Sequence, residues 1–257
     1  MAGTKSAVVT GAAAGIGLAV AERLAADGLH VVCVDRDAAA LQRAISILAG
    51  SASAVAGDIG EWSTHERAAE AASSAGRLQV WINNAGIDWS GGALEVDAEH
   101  IDHGLRVLLH GPMYGTAVAV RRMLEHDGGA IVNVASIQGV VGFPRYFVYG
   151  AAKAGIVQLA RNVCVDYAHR GIRCNTVLPG TVETPMTDST LPPGVERGEA
   201  LRIEGRLSPM GRVGQPAELA AAIAFLASEQ SSFVNGASLI VDGGAMARCY
   251  AYEPLPV

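Results

Sequence analysis

The sequence predicts a doubly wound α/β fold of the Rossmann type: a parallel sheet of about seven strands with helices on both faces. Short β-branched or apolar runs alternate with longer helical patterns, the order that βαβ units produce. The runs suit strands covered on both faces. A glycine-rich turn, Thr10-Gly11-Ala12-Ala13-Ala14-Gly15-Ile16-Gly17, separates the first run from the first helical pattern.

In chain order, strands are expected at Ser6–Thr10, Val31–Val34, Ala52–Ala56, Val80–Asn83, Ala130–Ala135, Arg173–Leu178 and Ser238–Val241. Helices are expected at Ile16–Ala26, Ala38–Leu48, Glu61–Ser74, His100–Leu124, Tyr149–Ala168 and Ala217–Leu226. Gly171 behind His169 and Arg170 reads as a helix stop with basic residues in the last turn. Pro209 to Pro216, with Gly211 and Gly214, cannot continue a helix and leads into Ala217. No Pro/Gly/Ser-rich linker or internal repeat divides the chain, so residues 1–257 are expected to form one domain. Within it, the Pro-interrupted stretch 184–207 reads as a substrate loop. Residues 245–257, with Arg248, Cys249, Tyr250, Tyr252, Pro254 and Pro256, read as a carboxyl-terminal extension packed on a pocket rim or a neighbouring subunit.

Composition narrows the function. A chain of 257 residues buries roughly 70% of its unfolded surface and needs no disulfide or structural metal. With 19 Lys+Arg against 25 Asp+Glu the net charge is −6, and no basic stripe marks a nucleic-acid footprint. The four Cys show neither CxxC spacing nor a cluster with His; they read as small hydrophobes in a reducing compartment, with no metal site. The start of the chain lacks a signal-peptide pattern, and the longest apolar stretch, Gly128 to Pro144, falls short of a membrane helix. A cytoplasmic protein with no membrane partner is expected.

The glycine turn carries the first functional signal. Gly11 permits the tight turn, Gly15 lets backbone approach a pyrophosphate, Gly17 allows close helix–strand packing, and the helix N-terminus offers unpaired N–H groups to the anion. The contacting set is Gly11, Ala14, Gly15, Ile16 and Gly17. Asp35 closes the second strand about twenty residues on, where a carboxylate accepts from ribose hydroxyls and repels a 2′-phosphate. NAD is therefore expected over NADP. Arg36 beside it is a candidate contact that would soften this preference.

A second set of residues carries chemistry. Tyr149 and Lys153 stand at i and i+4 on one helical face, so the ammonium is expected to lower the tyrosine pKa toward neutrality and to reach a ribose hydroxyl. Ser136, at the end of the fifth strand, is placed to orient a substrate oxygen. In oxidation the Tyr149 phenolate would accept the alcohol proton, and in reduction the phenol would return it.

The order of these motifs resembles the classical short-chain dehydrogenase/reductase family, over nearly the whole chain. The matching landmarks are Thr10–Gly17, Asp58 after the third strand, Asn83-Asn84-Ala85-Gly86, Ser136, Tyr149-Gly-Ala-Ala-Lys153, Pro179-Gly180 and Asp242-Gly243-Gly244. The resemblance implies that Ser136, Tyr149 and Lys153 are the catalytic trio. It implies that Asp58 and the Ile59 backbone address the adenine, and that Asn84, with Ala85 and Gly86, holds the central sheet beside the cofactor. It also implies that Pro179, Gly180, a backbone group of Val182 and the Thr184 hydroxyl contact the nicotinamide end, and that the chain is a homotetramer or homodimer joined through the helices at 100–124 and 149–168. The sequence departs from the family at Leu108, where a helical Asn is usual. Its carbonyl contact to a water near the lysine can persist, but the side-chain contact cannot.

Substrate contacts are expected from Gln138 to a second hydroxyl or carbonyl, from Trp89 as an apolar wall, and from Arg145 toward an acidic group, besides Ser136 and Tyr149. The expected activity is hydride transfer between NAD and a secondary alcohol of a small sugar, polyol or cyclic alcohol. A carbonyl or 3-oxoacyl reductase is the enzymatic alternative. A non-catalytic nucleotide-binding protein is the alternative of another class.

Overall fold

A computed structural model describes residues 4–48, 50–191 and 194–248. Seven parallel strands, β1 (Lys5–Thr10), β2 (His30–Asp35), β3 (Ala52–Ala56), β4 (Arg77–Asn83), β5 (Gly129–Val134), β6 (Ile172–Pro179) and β7 (Ser238–Val241), form one sheet in the order 3-2-1-4-5-6-7. The chain therefore reverses direction across the sheet between β1 and β4. A crevice opens at the carboxyl ends of strands at such a switch point.

Helices α1 (Gly15–Ala26), α2 (Ala38–Ile47), α3 (Trp62–Ala75), α4 (Ala98–Leu105), α5 (Gly111–Met123), α6 (Phe147–Tyr167), α7 (Pro185–Asp188), α8 (Arg197–Gly205) and α9 (Pro216–Ala227) complete the chain. The strands send alternate side chains to opposite faces. Val9, Val31 and Ile82 pack with Val20, Leu24 and Ile223 in one core, and Val8, Val32 and Trp81 pack with Ala68, Val118 and Ala160 in the other. Fully burying each such Val, Leu or Ile side chain stabilises the fold by about 1.5–3 kcal/mol relative to exposure.

All seven expected strands form, with ends shifted by a residue or a few. The expected single helix over 100–124 does not. It is split into α4, a π-helical turn over Arg106–His110, and α5. The cause is Pro112, which has no N–H to give the carbonyl of Leu108 four residues earlier. The ladder widens instead, and the Gly111 N–H bonds the Arg106 carbonyl five residues back. Leu108, at the centre of this turn, is fully buried.

No helix among the described residues is long and apolar enough to cross a membrane, and no group of three His, Cys, Asp or Glu there could hold a metal ion. Of the carboxyl-terminal extension, residues 249–257 lie outside the described part of the chain.

Candidate active site

A cavity of about 900 Å³ opens at the carboxyl ends of β1, β4, β5 and β6. Its first wall is the turn between β1 and α1. Gly11 and Gly15 have φ of 66° and 56°, a left-handed backbone that side chains rarely adopt. A Cβ at Gly11 would come within 2.8 Å of the Ala85 Cα, and one at Gly15 within 3.2 Å of the Thr184 side chain. Gly17 lies beneath, against the Gly11 carbonyl, outside the cavity lining. No side chain caps the start of α1, where free N–H groups and the positive end of the helix favour an anion.

Asp35 lines this end, its carboxylate accepting from the N–H groups of Ala13 (3.2 Å) and Asp37 (3.1 Å). Asn84, at the end of β4, donates through Nδ2 to the carbonyls of Thr10 (3.0 Å) and Gly11 (3.3 Å). The Thr10 hydroxyl accepts in return from the N–H groups of Asn84 and Ala85. These bonds clamp the two strand ends that flank the switch point. Shape and chemistry of the cradle thus fit a dinucleotide: backbone donors for the pyrophosphate and a carboxylate acceptor for a ribose.

Ser136, Tyr149 and Lys153 meet on the far side of the cavity. Ser136 follows β5 and caps a short 3-10 turn, its hydroxyl accepting from the Gln138 N–H at 3.1 Å. The Tyr149 phenol shares the cavity wall with Ser136. Lys153 stands one turn further along α6, its Nζ 3.1 Å from the Val134 carbonyl and 5.5 Å from the centre of the Tyr149 ring. Burial pushes the lysine down to about 8. A Cβ on Gly86 would meet both the Leu108 Cδ2, at 3.7 Å, and Lys153 Nζ, at 3.8 Å.

The expected lowering of the tyrosine pKa is reversed in the protein alone. Burial pushes the phenol up to about 12, the Asp88 carboxylate adds to the rise, and Ser136 opposes it.

Several expected contacts stand elsewhere. Trp89 is not in the cavity wall. Its ring stacks against His100 and His103 of α4, at 4.5 and 4.8 Å between ring centres, and its Nε1 donates to the His100 carbonyl. Arg145 points to an exposed ion pair with Glu95 at 2.7 Å, outside this cavity, on a backbone with φ of 67°. Arg36 is exposed beyond Asp35 and also lies outside the lining. Asp58 is engaged by Arg106 at 2.6 Å and by the Gly60 N–H, and the Ile59 carbonyl accepts from His65 Nε2 at 2.8 Å. Neither Asp58 nor Ile59 forms part of the cavity wall. Ala14, Ile16, Ala85, Gly86, Gln138 and Pro179 do line it, as do Gly180, Val182 and Thr184.

Of the segment 184–207, Met186, Thr187, Thr190, Glu204 and Leu207 are among the residues that line the cavity. Arg197 ties the segment down by ion pairs to Glu183 (2.8 Å) and Asp188 (2.9 Å). The lining also includes Asp88, Tyr146, Met210 and Asp242. Asp88 is visible in the sequence as the second residue past the Asn-Ala-Gly turn, and Tyr146 as one of the residues between Ser136 and Tyr149, where pocket-lining side chains are expected. Met210 is brought in from a distant chain position, with no local signal.

A family model described as enoyl-(acyl carrier protein) reductase matches residues 11–246. The chain is 36% identical over 246 residues to the 3beta-hydroxysteroid dehydrogenase 1 of Eggerthella lenta, covering 93% of each chain. It is 37% identical over 241 residues to the galactitol 2-dehydrogenase (L-tagatose-forming) of Cereibacter sphaeroides, covering 93% of each. It is likewise 37% identical over 246 residues to the cyclohexanol dehydrogenase of an Acinetobacter species, covering 93% of this chain and 94% of that one.

Proposed function

Because the chain belongs to the short-chain dehydrogenase/reductase family and is an NAD(P)-dependent oxidoreductase of small alcohols or ketones, we propose that it uses NAD to oxidise a secondary alcohol of a small sugar, polyol or cyclic alcohol. The observation that carries this reading is the meeting of Ser136, Tyr149 and Lys153 in the cavity that also contains the glycine turn and Asp35. The named activities of the galactitol and cyclohexanol relatives support the substrate class. Asp35 supports NAD, since its charge disfavours a 2′-phosphate at the same place.

The bound oxidised nicotinamide supplies the hydride acceptor. Ser136 holds the substrate oxygen. The Tyr149 phenolate takes the hydroxyl proton at Oη as hydride leaves the carbinol carbon, and Lys153 stabilises that phenolate before the transfer while reaching a ribose hydroxyl. The Val134 carbonyl fixes the lysine in place. Segment 184–207 serves as the substrate loop, and the whole chain acts as one catalytic domain. The assembly is a cytoplasmic homotetramer or homodimer.

A second reading, carbonyl or 3-oxoacyl reduction, is favoured by one observation: burial holds Tyr149 as a phenol, the form that gives a proton. Initial rates with NAD and NADP across polyols, sugars, cyclic alcohols and the matching ketones distinguish the two. Tyr149→Phe should retain NAD(H) binding, read by nicotinamide fluorescence, and lose nearly all turnover. Turnover equal to that of the parent would refute the proposed acid/base.

A further inference from the structure

The substrate end of the cavity holds two acceptors that the protein itself leaves open. Gln138 sits two residues past Ser136, with its backbone N–H already committed to the serine hydroxyl at 3.1 Å. Its side-chain Oε1 is buried in the protein with no hydrogen-bond partner, on a residue that lines the cavity. A buried acceptor in that state is satisfied when something in the cavity donates to it.

Asp88 is the second. It follows the Asn-Ala-Gly turn and lines the same cavity as Tyr146 and Tyr149. The rings of those two tyrosines meet edge-on at 5.6 Å between centres. The Asp88 charge is felt at both hydroxyls, raising both. An ionised carboxylate accepts at about four lone-pair positions and donates at none. Glu204 adds a second carboxylate from the segment 184–207. Of the cations in the wall, Arg212 is taken up in a two-point pair with Glu218 at 2.7 and 2.8 Å. Arg248 has no ion pair among the described residues.

Resting on the alcohol-oxidising reading, we propose that Asp88 and Gln138 are specificity-determining residues that select an alcohol with a second hydroxyl beside the reacting one, a vicinal diol as in polyols and sugars. The second hydroxyl donates to this pair and is not consumed. The C–H bond at the neighbouring carbinol breaks, its hydride passes to the oxidised nicotinamide and its hydroxyl proton to Tyr149, and the product is an α-hydroxy ketone. Simple cyclic alcohols leave both acceptors unpaired, and hydroxy acids bring a like charge to Asp88.

The test uses the full chain with saturating cofactor and four probes: cis- and trans-cyclohexane-1,2-diol, cyclohexanol and 2-hydroxycyclohexanecarboxylate. In the parent protein one of the diols should exceed cyclohexanol in kcat/KM by at least about tenfold, the effect of one hydrogen bond to a charged acceptor. Asp88→Asn and Gln138→Met should each bring that ratio down toward one. Fluorescence titration with NADH shows that each variant is folded, and Gln138→Leu is a second probe of the same acceptor. Equal rates on diol and cyclohexanol in the parent, an unchanged ratio in the folded variants, or the hydroxy acid as best substrate would each overturn the assignment, the last pointing to Arg248. Any of these results obtained with cyclohexanol turnover intact refutes this inference alone. No turnover of any alcohol or matching ketone with NAD or NADP, despite cofactor binding, refutes the oxidoreductase reading and this inference with it.

Discussion

Lys153 offers a direct measure of the electrostatics built into the site. Its ammonium is held within the fold, where burial lowers the pKa from 10.5 to about 8. A tenfold change in proton affinity is worth about 1.4 kcal/mol, so the buried charge costs the fold about 3 kcal/mol at neutral pH. The direction follows from proton counting. Between pH 8 and 10.5 the unfolded chain holds a proton at this lysine that the folded chain has released, so stability gained from this group rises with pH and is lost as pH falls. Lys153→Met removes that dependence, together with the pH-independent bond to the Val134 carbonyl. From pH 7 to pH 9.5 the parent should therefore gain about 2 kcal/mol relative to the variant. At about 2–4 °C per kcal/mol for a chain near this size, the Tm difference between parent and variant should move by roughly 4–8 °C in the parent's favour. Tyr149, held up to about 12, keeps its proton in the fold throughout that range, and its behaviour in the unfolded chain is common to both proteins. Thermal unfolding followed by circular dichroism at the two pH values gives the comparison. Parallel curves for parent and variant would refute a buried, destabilised ammonium, and with it the account of how the lysine is tuned.

Asp35→Ser removes a carboxylate whose charge would repel a 2′-phosphate, an effect that solvent screening reduces but does not cancel; kcat/KM with NADP should rise at least about tenfold, and an unchanged cofactor ratio would remove Asp35 as the selector. Asn84→Ala loses the bonds to the Thr10 and Gly11 carbonyls; stability should fall by about 1–2 kcal/mol in denaturant titrations, with cofactor KM rising more than kcat falls. Arg145→Ala breaks only an exposed ion pair; stability should stay within about 1 kcal/mol and kcat/KM within about twofold. A tenfold loss in steady-state rates would return Arg145 to the substrate site.

Much of the molecule is written in local patterns. The β1 to α1 turn is legible because Gly11 and Gly15 answer to backbone conformation and to close approach, both of which act over a few residues. The apolar runs of β1, β2 and β4 announce strands covered on both faces, and all three form. Tyr149 and Lys153 share a helical face by spacing alone. The break at Leu108 is in principle also readable, since Pro112 denies it an N–H four residues on, but the surrounding helical pattern outweighs that single missing bond when only periodicity is weighed.

Other properties belong to the folded chain alone. Trp89 reads as a pocket wall from its place after the Asn-Ala-Gly turn, yet packing turns it onto His100 and His103. Arg145 finds Glu95 fifty residues away, and Asp58 finds Arg106, so neither charge is free in the way its local sequence suggests. The pKa of Tyr149 is the sharpest case. The spacing to Lys153 supplies a sign, and desolvation, which depends on every element packed around the phenol, reverses it. The succession of strands and helices, the glycine turn of the cradle and the shared face of Tyr149 and Lys153 can be read from the residues in order, because glycine conformations and helical periods are short-range; the choice of Ser136, Tyr149 and Lys153 as a trio comes from the family resemblance. Burial, charge pairing and the open acceptors at Gln138 and Asp88 come only with packing, because electrostatic energies depend on how much water and which distant partners the fold leaves beside each group.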